Sequence, residues 1–152
     1  MQNSKLYELT ARLPVLADAQ NIIALEGGLT NRNYRVDTPT GSYVLRVSER
    51  KSAMLGINRE NERVNTDLAH QAGVGAALID SLPEENVLVI SWIDAKTLCA
   101  RDIHSQPDLL QRIAVSLRRL HSGPAFRGEF YFPGVRRNYL KTVVENNYFL
   151  PE

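Results

Sequence analysis

The chain has a single cysteine, Cys99, so no internal disulfide can form, and its three histidines show no zinc spacing with it. A reducing compartment fits, with the cytoplasm as the expected location. Charge of one sign is missing as well. Eighteen Lys and Arg stand against 17 Asp and Glu, a net charge of +1, which excludes a broad field for nucleic acid or an anionic membrane. Recognition of phosphate therefore has to be local. No uncharged run is long enough to cross a bilayer, and residues 1–16 carry Lys5, Glu8 and Arg12 among their apolar positions. The expectation is a chain neither secreted nor inserted in a membrane. Internal repeats and low-complexity tracts are also absent.

What is present is ordinary globular composition, 43% apolar and 23% charged over 152 residues. That length suits one domain, or one lobe of something larger. Leu6, Leu9 and Leu13 recur at helical spacing behind Ser4 as a candidate cap, and Pro14 weakens the continuation. Three β-rich runs follow at 21–25, 33–37 and 42–48, separated by a Gly27-Gly28 turn and by Thr38-Pro39-Thr40-Gly41. Asn58 can cap a helix running to about Ala72, with Glu60 and Glu62 in its acidic first turn, Val64 and Leu68 on one face, and Gly73 as terminator.

Two more strands are expected at 76–80 and 87–93, joined by a loop at 81–86. Beyond Lys96 the period changes. Leu109, Leu110, Ile113, Leu117 and Leu120 form one stripe of a helix over 108–121, ended by Gly123-Pro124. The aromatic-rich tail, 126–152, shows no clear closing element, and its apolar groups need a partner surface. The predicted fold is α+β, a five-stranded antiparallel sheet with one packed helix, followed by further helices.

That element order, and the residues at its landmarks, resemble the small lobe of the protein-kinase-like fold, in the branch of choline/ethanolamine kinases and aminoglycoside phosphotransferases. Gly27-Gly28-Leu29-Thr30-Asn31-Arg32-Asn33-Tyr34-Arg35-Val36 is similar to the loop between the first two strands of the choline-kinase branch. Tyr43-Val44-Leu45-Arg46-Val47 resembles its third strand, and the stretch from Ile57 through Asn65 its following helix. Ser91-Trp92-Ile93-Asp94-Ala95-Lys96-Thr97-Leu98 resembles its inter-lobe hinge, with Ala95 where the family commonly has Gly. The stretch from Ile113 to His121 is similar to a large-lobe helix. The likeness runs in order over most of 22–140.

The resemblance implies a nucleotide-binding lobe over 1–98 and the start of a helical lobe truncated at 99–152. It implies ATP and Mg2+ as cofactors, and choline, ethanolamine or a similar amino alcohol as acceptor. A kinase holds polyphosphate with backbone N–H groups of a flexible turn and a few polar side chains. Gly27 and Gly28 let the backbone approach, and Thr30, Asn31 and Asn33 offer donors. Taken alone, two glycines would simply make a hairpin turn.

Period-two geometry puts Val44 and Arg46 on one face of the third strand and Tyr43, Leu45 and Val47 on the other. If the second set packs on the helix side, Val44 is placed for adenine and Arg46 for phosphate with a permanent charge and a forked donor set; strand geometry alone would make Arg46 a solvated residue. Glu62, ahead of Glu60, is the expected helix partner of Arg46. The backbone of Ser91 and Ile93 is expected at the adenine edge. His121 reads as a helix-end residue, and Arg118-Arg119 and Arg136-Arg137 as solvated faces rather than a nucleic-acid patch.

Phosphoryl transfer in this fold also uses a catalytic-loop Asp and an Asn and Asp that hold magnesium. His70, His104 and His121 are followed two residues later by Ala72, Gln106 and Gly123, and no Asp precedes Phe or Trp. No catalytic residue and no metal ligand can therefore be assigned; in the family these belong to the large lobe. The competing expectations are a non-catalytic nucleotide- or partner-binding remnant of a split or degenerate kinase, its large lobe on a second chain, and an unrelated nucleic-acid-binding domain.

Overall fold

The structure is a computed structural model and describes residues 3–28, 31–48 and 56–149. Helix α1 (Asn3–Ala11) leads into a 3-10 turn (Pro14–Leu16) and then strands β1 (Asn21–Leu25), β2 (Asn31–Thr38) and β3 (Gly41–Ser48). Helix α2 (Arg59–Gln71) precedes β4 (Leu78–Leu82) and β5 (Val87–Ser91). Helices α3 (Ala100–Ser105), α4 (Asp108–Ser122) and α5 (Phe132–Glu145) follow. The five strands form one antiparallel sheet in the order β1-β2-β3-β5-β4. The last two strands exchange places because β5 inserts between β3 and β4.

The register separates two chemically different faces. Leu45 lies opposite Tyr34 on β2 and Val89 on β5, and Val47 opposite Val87. Opposed residues of a sheet point the same way. These side chains, with Val36, meet Leu6, Leu9, Leu13 and Leu16 from α1 and its 3-10 turn in one buried cluster. Leu13, Leu16, Val36, Leu45 and Val89 are wholly buried; each contributes about 1.5–3 kcal/mol of transfer free energy. The other face carries Asn33 opposite Arg46, Arg35 opposite Val44, and Ile90 beside Val44. That face is polar and only partly covered.

Helix α2 begins as its sequence predicts, the Asn58 side chain accepting from the Asn61 N–H at 2.9 Å. It ends in a Schellman arrangement. Gly73, at φ +72°, donates to the His70 carbonyl and Val74 to that of Ala69.

Several boundaries differ from the sequence reading. Ser4 lies inside α1 rather than capping it. β2 starts two residues early, at Asn31, because the strand continues through the ladder to Ser48. β4 sits two residues later, over Leu78–Leu82, with a register irregularity between Leu78 and Asp80, so Ser81 and Leu82 are strand rather than loop. Ala77 is held from outside the strand, its carbonyl accepting from Ser91 N–H and its own N–H donating to Ser91 Oγ. β5 stops at Ser91.

Helix α3 was not anticipated. Asp102 is buried and creates its first turn by accepting from the Cys99 N–H at 2.8 Å while pairing with Lys96. The tail, in which no closing element was expected, also forms a helix, α5, with Pro133 in its first turn, where a missing N–H is harmless.

Candidate functional site

The polar face converges on Glu62. This carboxylate reaches from α2 to the sheet and takes Arg46 on Oε1 at 3.2 Å and Arg59 on Oε2 at 2.5 Å. Asn31 at the start of β2 donates to the same Oε1 at 3.4 Å, and Ser48 on β3 donates to Asn31. All three ionic groups are mostly covered, with side-chain exposures of 27% for Arg46, 19% for Glu62 and 18% for Arg59. One carboxylate between two guanidiniums leaves the cluster with a net positive charge.

The choice of Glu62 over Glu60 as partner of Arg46 agrees with the geometry. Glu60 turns away to Arg63, at 2.8 Å, and to Arg127, and the Arg63 hydrogen bonds hold its carboxyl below the ordinary range.

Arg46 is anchored through Nη1, while its Nε is buried with no hydrogen-bond partner among the described residues. The same holds for Oδ1 of Asn33, its cross-strand neighbour. Buried polar groups are normally satisfied, and among the described residues two unsatisfied ones lie together on this patch of sheet. An amide turned about its last torsion exchanges its oxygen for its NH2, so Asn33 can present either.

The glycine turn lies beside this patch. Gly27 has φ +93°, a region that favours glycine. Gly28 is required for a different reason: a Cβ there would stand 2.1 Å from the Asn31 carbonyl oxygen. The turn and β2 line an open depression of about 310 Å³ that includes Gly27, Gly28, Asn31 and Asn33. Leu29 and Thr30, between them, lie outside the described residues.

At the other end of the face, Val44 is half-buried beside Ile90 and Arg35. The Arg35 guanidinium stacks 4.7 Å from the Trp92 ring centre and is held by Asp37 and Ser42. Ser42 and Arg35 together keep the Asp37 carboxyl below its ordinary range. The Ser91 N–H is already engaged by the Ala77 carbonyl, so that donor is not open to a ligand. Ile93 is exposed.

Two refinements follow for the expected site. Asn31 uses its amide on Glu62 and Ser48, which makes it a brace between turn and helix rather than an open donor. Arg59 was overlooked, although its i,i+3 spacing to Glu62 was visible in the sequence. Among the described residues no three of His, Cys, Asp and Glu come together. No described helix is long and apolar enough to cross a membrane.

Comparisons with known proteins bear on the fold and the family. No curated protein matches the sequence. A choline/ethanolamine kinase family protein from Mesorhizobium loti superimposes with a TM-score of 0.76 at 30% identity, over 99% of this chain and 48% of that one. The choline kinase LicA of Streptococcus pneumoniae gives a TM-score of 0.75 at 23% identity, over 91% of this chain and 48% of that one. A structure of LicA in complex with AMP gives 0.61 at 25% identity, over 84% of this chain and 44% of that one. The chain thus spans about half the length of the solved kinases it matches, and its α+β fold corresponds to their N-terminal half. The model of the phosphotransferase enzyme family matches residues 21–150, and the chain belongs to that family.

Proposed function

We propose that the chain supplies the ATP-binding lobe of a choline- or ethanolamine-kinase-like phosphotransferase, with residues 1–98 as that lobe and 99–152 as the start of a helical lobe. The observation that carries this reading is the buried, unpartnered Nε of Arg46 beside a turn whose two glycines cannot be replaced without strain or collision. A triphosphate would satisfy that donor with a charge-assisted hydrogen bond.

In this reading the backbone N–H groups of Gly27 and Gly28, with Thr30 and Asn33, surround the phosphates. Arg46 supplies charge, and Glu62 holds its guanidinium in one orientation. Val44 covers the adenine, whose edge meets the Ser91 carbonyl and the Ile93 N–H. Magnesium, which in phosphoryl transfer neutralises developing phosphate charge, is left to ligands other than the described residues. The acceptor is an amino alcohol, choline or ethanolamine.

A second reading is a non-catalytic nucleotide- or partner-binding remnant of a split or degenerate kinase. A radiolabelled transfer assay with choline and ethanolamine separates the two. The 152-residue chain alone should transfer nothing, and adding a polypeptide that carries the remaining half of a kinase of the relatives' length should restore transfer that depends on Arg46. Restored transfer that Arg46→Ala leaves intact would overturn the site. Failure to restore transfer while ATP still binds selects the non-catalytic reading.

A further inference from the structure

Helix α2 carries Glu62, yet none of its residues is buried. Most of them are partly buried, so its packing on the sheet is supplemented by polar ties. One tie is Glu62 itself, on Arg46 and Arg59. The other is at Asn65, one turn further along.

The Asn65 side chain accepts from the Arg127 backbone N–H at 2.7 Å and donates to the Arg127 carbonyl at 3.0 Å. It reads the main chain of the α4–α5 loop as a neighbouring strand would. The loop fits closely against the helix on both sides of this clamp. Gly128 has φ +94°, and a Cβ there would lie 2.8 Å from the Asn61 amide nitrogen. A Cβ on Gly123 would lie 3.0 Å from that of Ala72, at the far end of α2. Arg127 adds an ion pair with Glu60 at 3.4 Å.

We infer that Asn65 is a positioning residue: by clamping the Arg127 backbone it ties α2 to the segment after α4 and thereby holds Glu62 where it orients Arg46. The inference rests on the nucleotide-site reading above. Its physical content is preorganisation, since a guanidinium already aimed loses less freedom when phosphate binds. Residues 123–128 thus connect the helical segment to the phosphate-facing arginine through two hydrogen bonds and one helical turn.

The test measures ATP and adenosine affinity of the 152-residue chain by calorimetry, with fluorescence of Trp92 as a second readout. The ratio of the two affinities isolates the phosphate contribution from the base. Asn65→Ala is expected to lower that ratio about fivefold, the effect of one hydrogen bond, with adenosine affinity unchanged. Arg127→Ala keeps the backbone groups that Asn65 reads and loses only the exposed ion pair with Glu60, so it should lower the ratio much less than Asn65→Ala does.

In a Glu62→Ala background, Asn65→Ala should have no further effect. Asn65→Asp, which keeps volume and acceptor but loses the donor, guards against misfolding and should shift the ratio the same way. A ratio lowered by Arg46→Ala but untouched by both Asn65 variants overturns the inference alone. Equal weakening of ATP and adenosine by Asn65→Ala, as a purely structural role would give, also overturns it. A wild-type chain that binds ATP no better than adenosine overturns the site reading and the inference with it.

Discussion

Among the described residues, Arg46 is the one permanent charge on the polar face with a buried N–H that has no hydrogen-bond partner, and replacing it by Ala removes that group. A hydrogen bond to a charged group contributes about 1.5–3 kcal/mol, so ATP affinity should fall about 10- to 150-fold while adenosine affinity stays the same. The cost to the fold is much smaller. Arg46 and Glu62 are 27% and 19% exposed, and after the substitution Glu62 keeps Arg59 at 2.5 Å and the Asn31 amide. Such a partly solvated pair is worth about 1 kcal/mol, a melting shift of about 2–4 °C for a chain of this size. Lys at this position keeps the charge but not the fork, and should fall between the two. Calorimetric titration with ATP, AMP and adenosine, at two salt concentrations, reads all of this. An Arg46→Ala chain that loses adenosine as strongly as ATP, or loses neither, would refute the assignment of Arg46 to phosphate.

Gly28→Ala places a Cβ 2.1 Å from the Asn31 carbonyl oxygen, so the turn must shift; the cost should be about 1–3 kcal/mol, read by denaturant unfolding, and an unchanged midpoint would show that the turn adapts freely. The Lys96 ammonium first, and the Cys99 N–H second, hold the Asp102 carboxyl down at about 2, below its ordinary value of 3.8. A depressed acid stabilises above its unfolded pKa and loses that contribution as pH falls through its folded value. Hydrogen-exchange protection of the Cys99 amide should therefore fade between about pH 4 and about pH 2, ahead of core amides such as Leu45; if the two fade together, the cap is not what titrates. ATP binding by the chain alone should be weak and nearly independent of magnesium, because the described residues form no metal-holding group; tight, metal-dependent binding in calorimetry would reveal acidic ligands not identified here.

The sheet and α2 were legible because their signals are local. Alternation over 42–48 placed Leu45 and Arg46 on opposite faces, and Asn58 with Gly73 bounded α2 to within a residue. The Arg46–Glu62 pairing came from a resemblance; spacing alone leaves Glu60 and Glu62 as equivalent first-turn acids. What stayed hidden depends on contacts distant in sequence. Asn31 reads as a turn donor until Ser48 and Glu62 are seen to occupy its amide. The start of α3 rests on Asp102 meeting Lys96 and Cys99 at once, and β4 slides by two residues because Ser91 captures Ala77. α5 has no capping side chain at Tyr131 and begins with Pro133 and Gly134 in its first turn, so it carries little local start signal.

The two faces of the sheet divide stability from chemistry at single-residue resolution. On β3, Leu45 is wholly buried against the α1 side, whereas Arg46, the next residue, projects to the α2 side. Truncating Leu45 opens a cavity costing about 2–5 kcal/mol; truncating Arg46 costs the fold about 1 kcal/mol. The core face is closed by α1 and its 3-10 turn, so the polar face need contribute little to folding. It can therefore keep groups that weaken a fold: an unpaired guanidinium N–H, a glycine turn with positive φ, and a helix that buries none of its residues. Each has a cost in the absence of a ligand, and in the proposed reading a bound anion would relieve or use each of them. An orphaned donor on a scaffold stabilised from its opposite side is what that proposal requires, and the Arg46→Ala titration tests it.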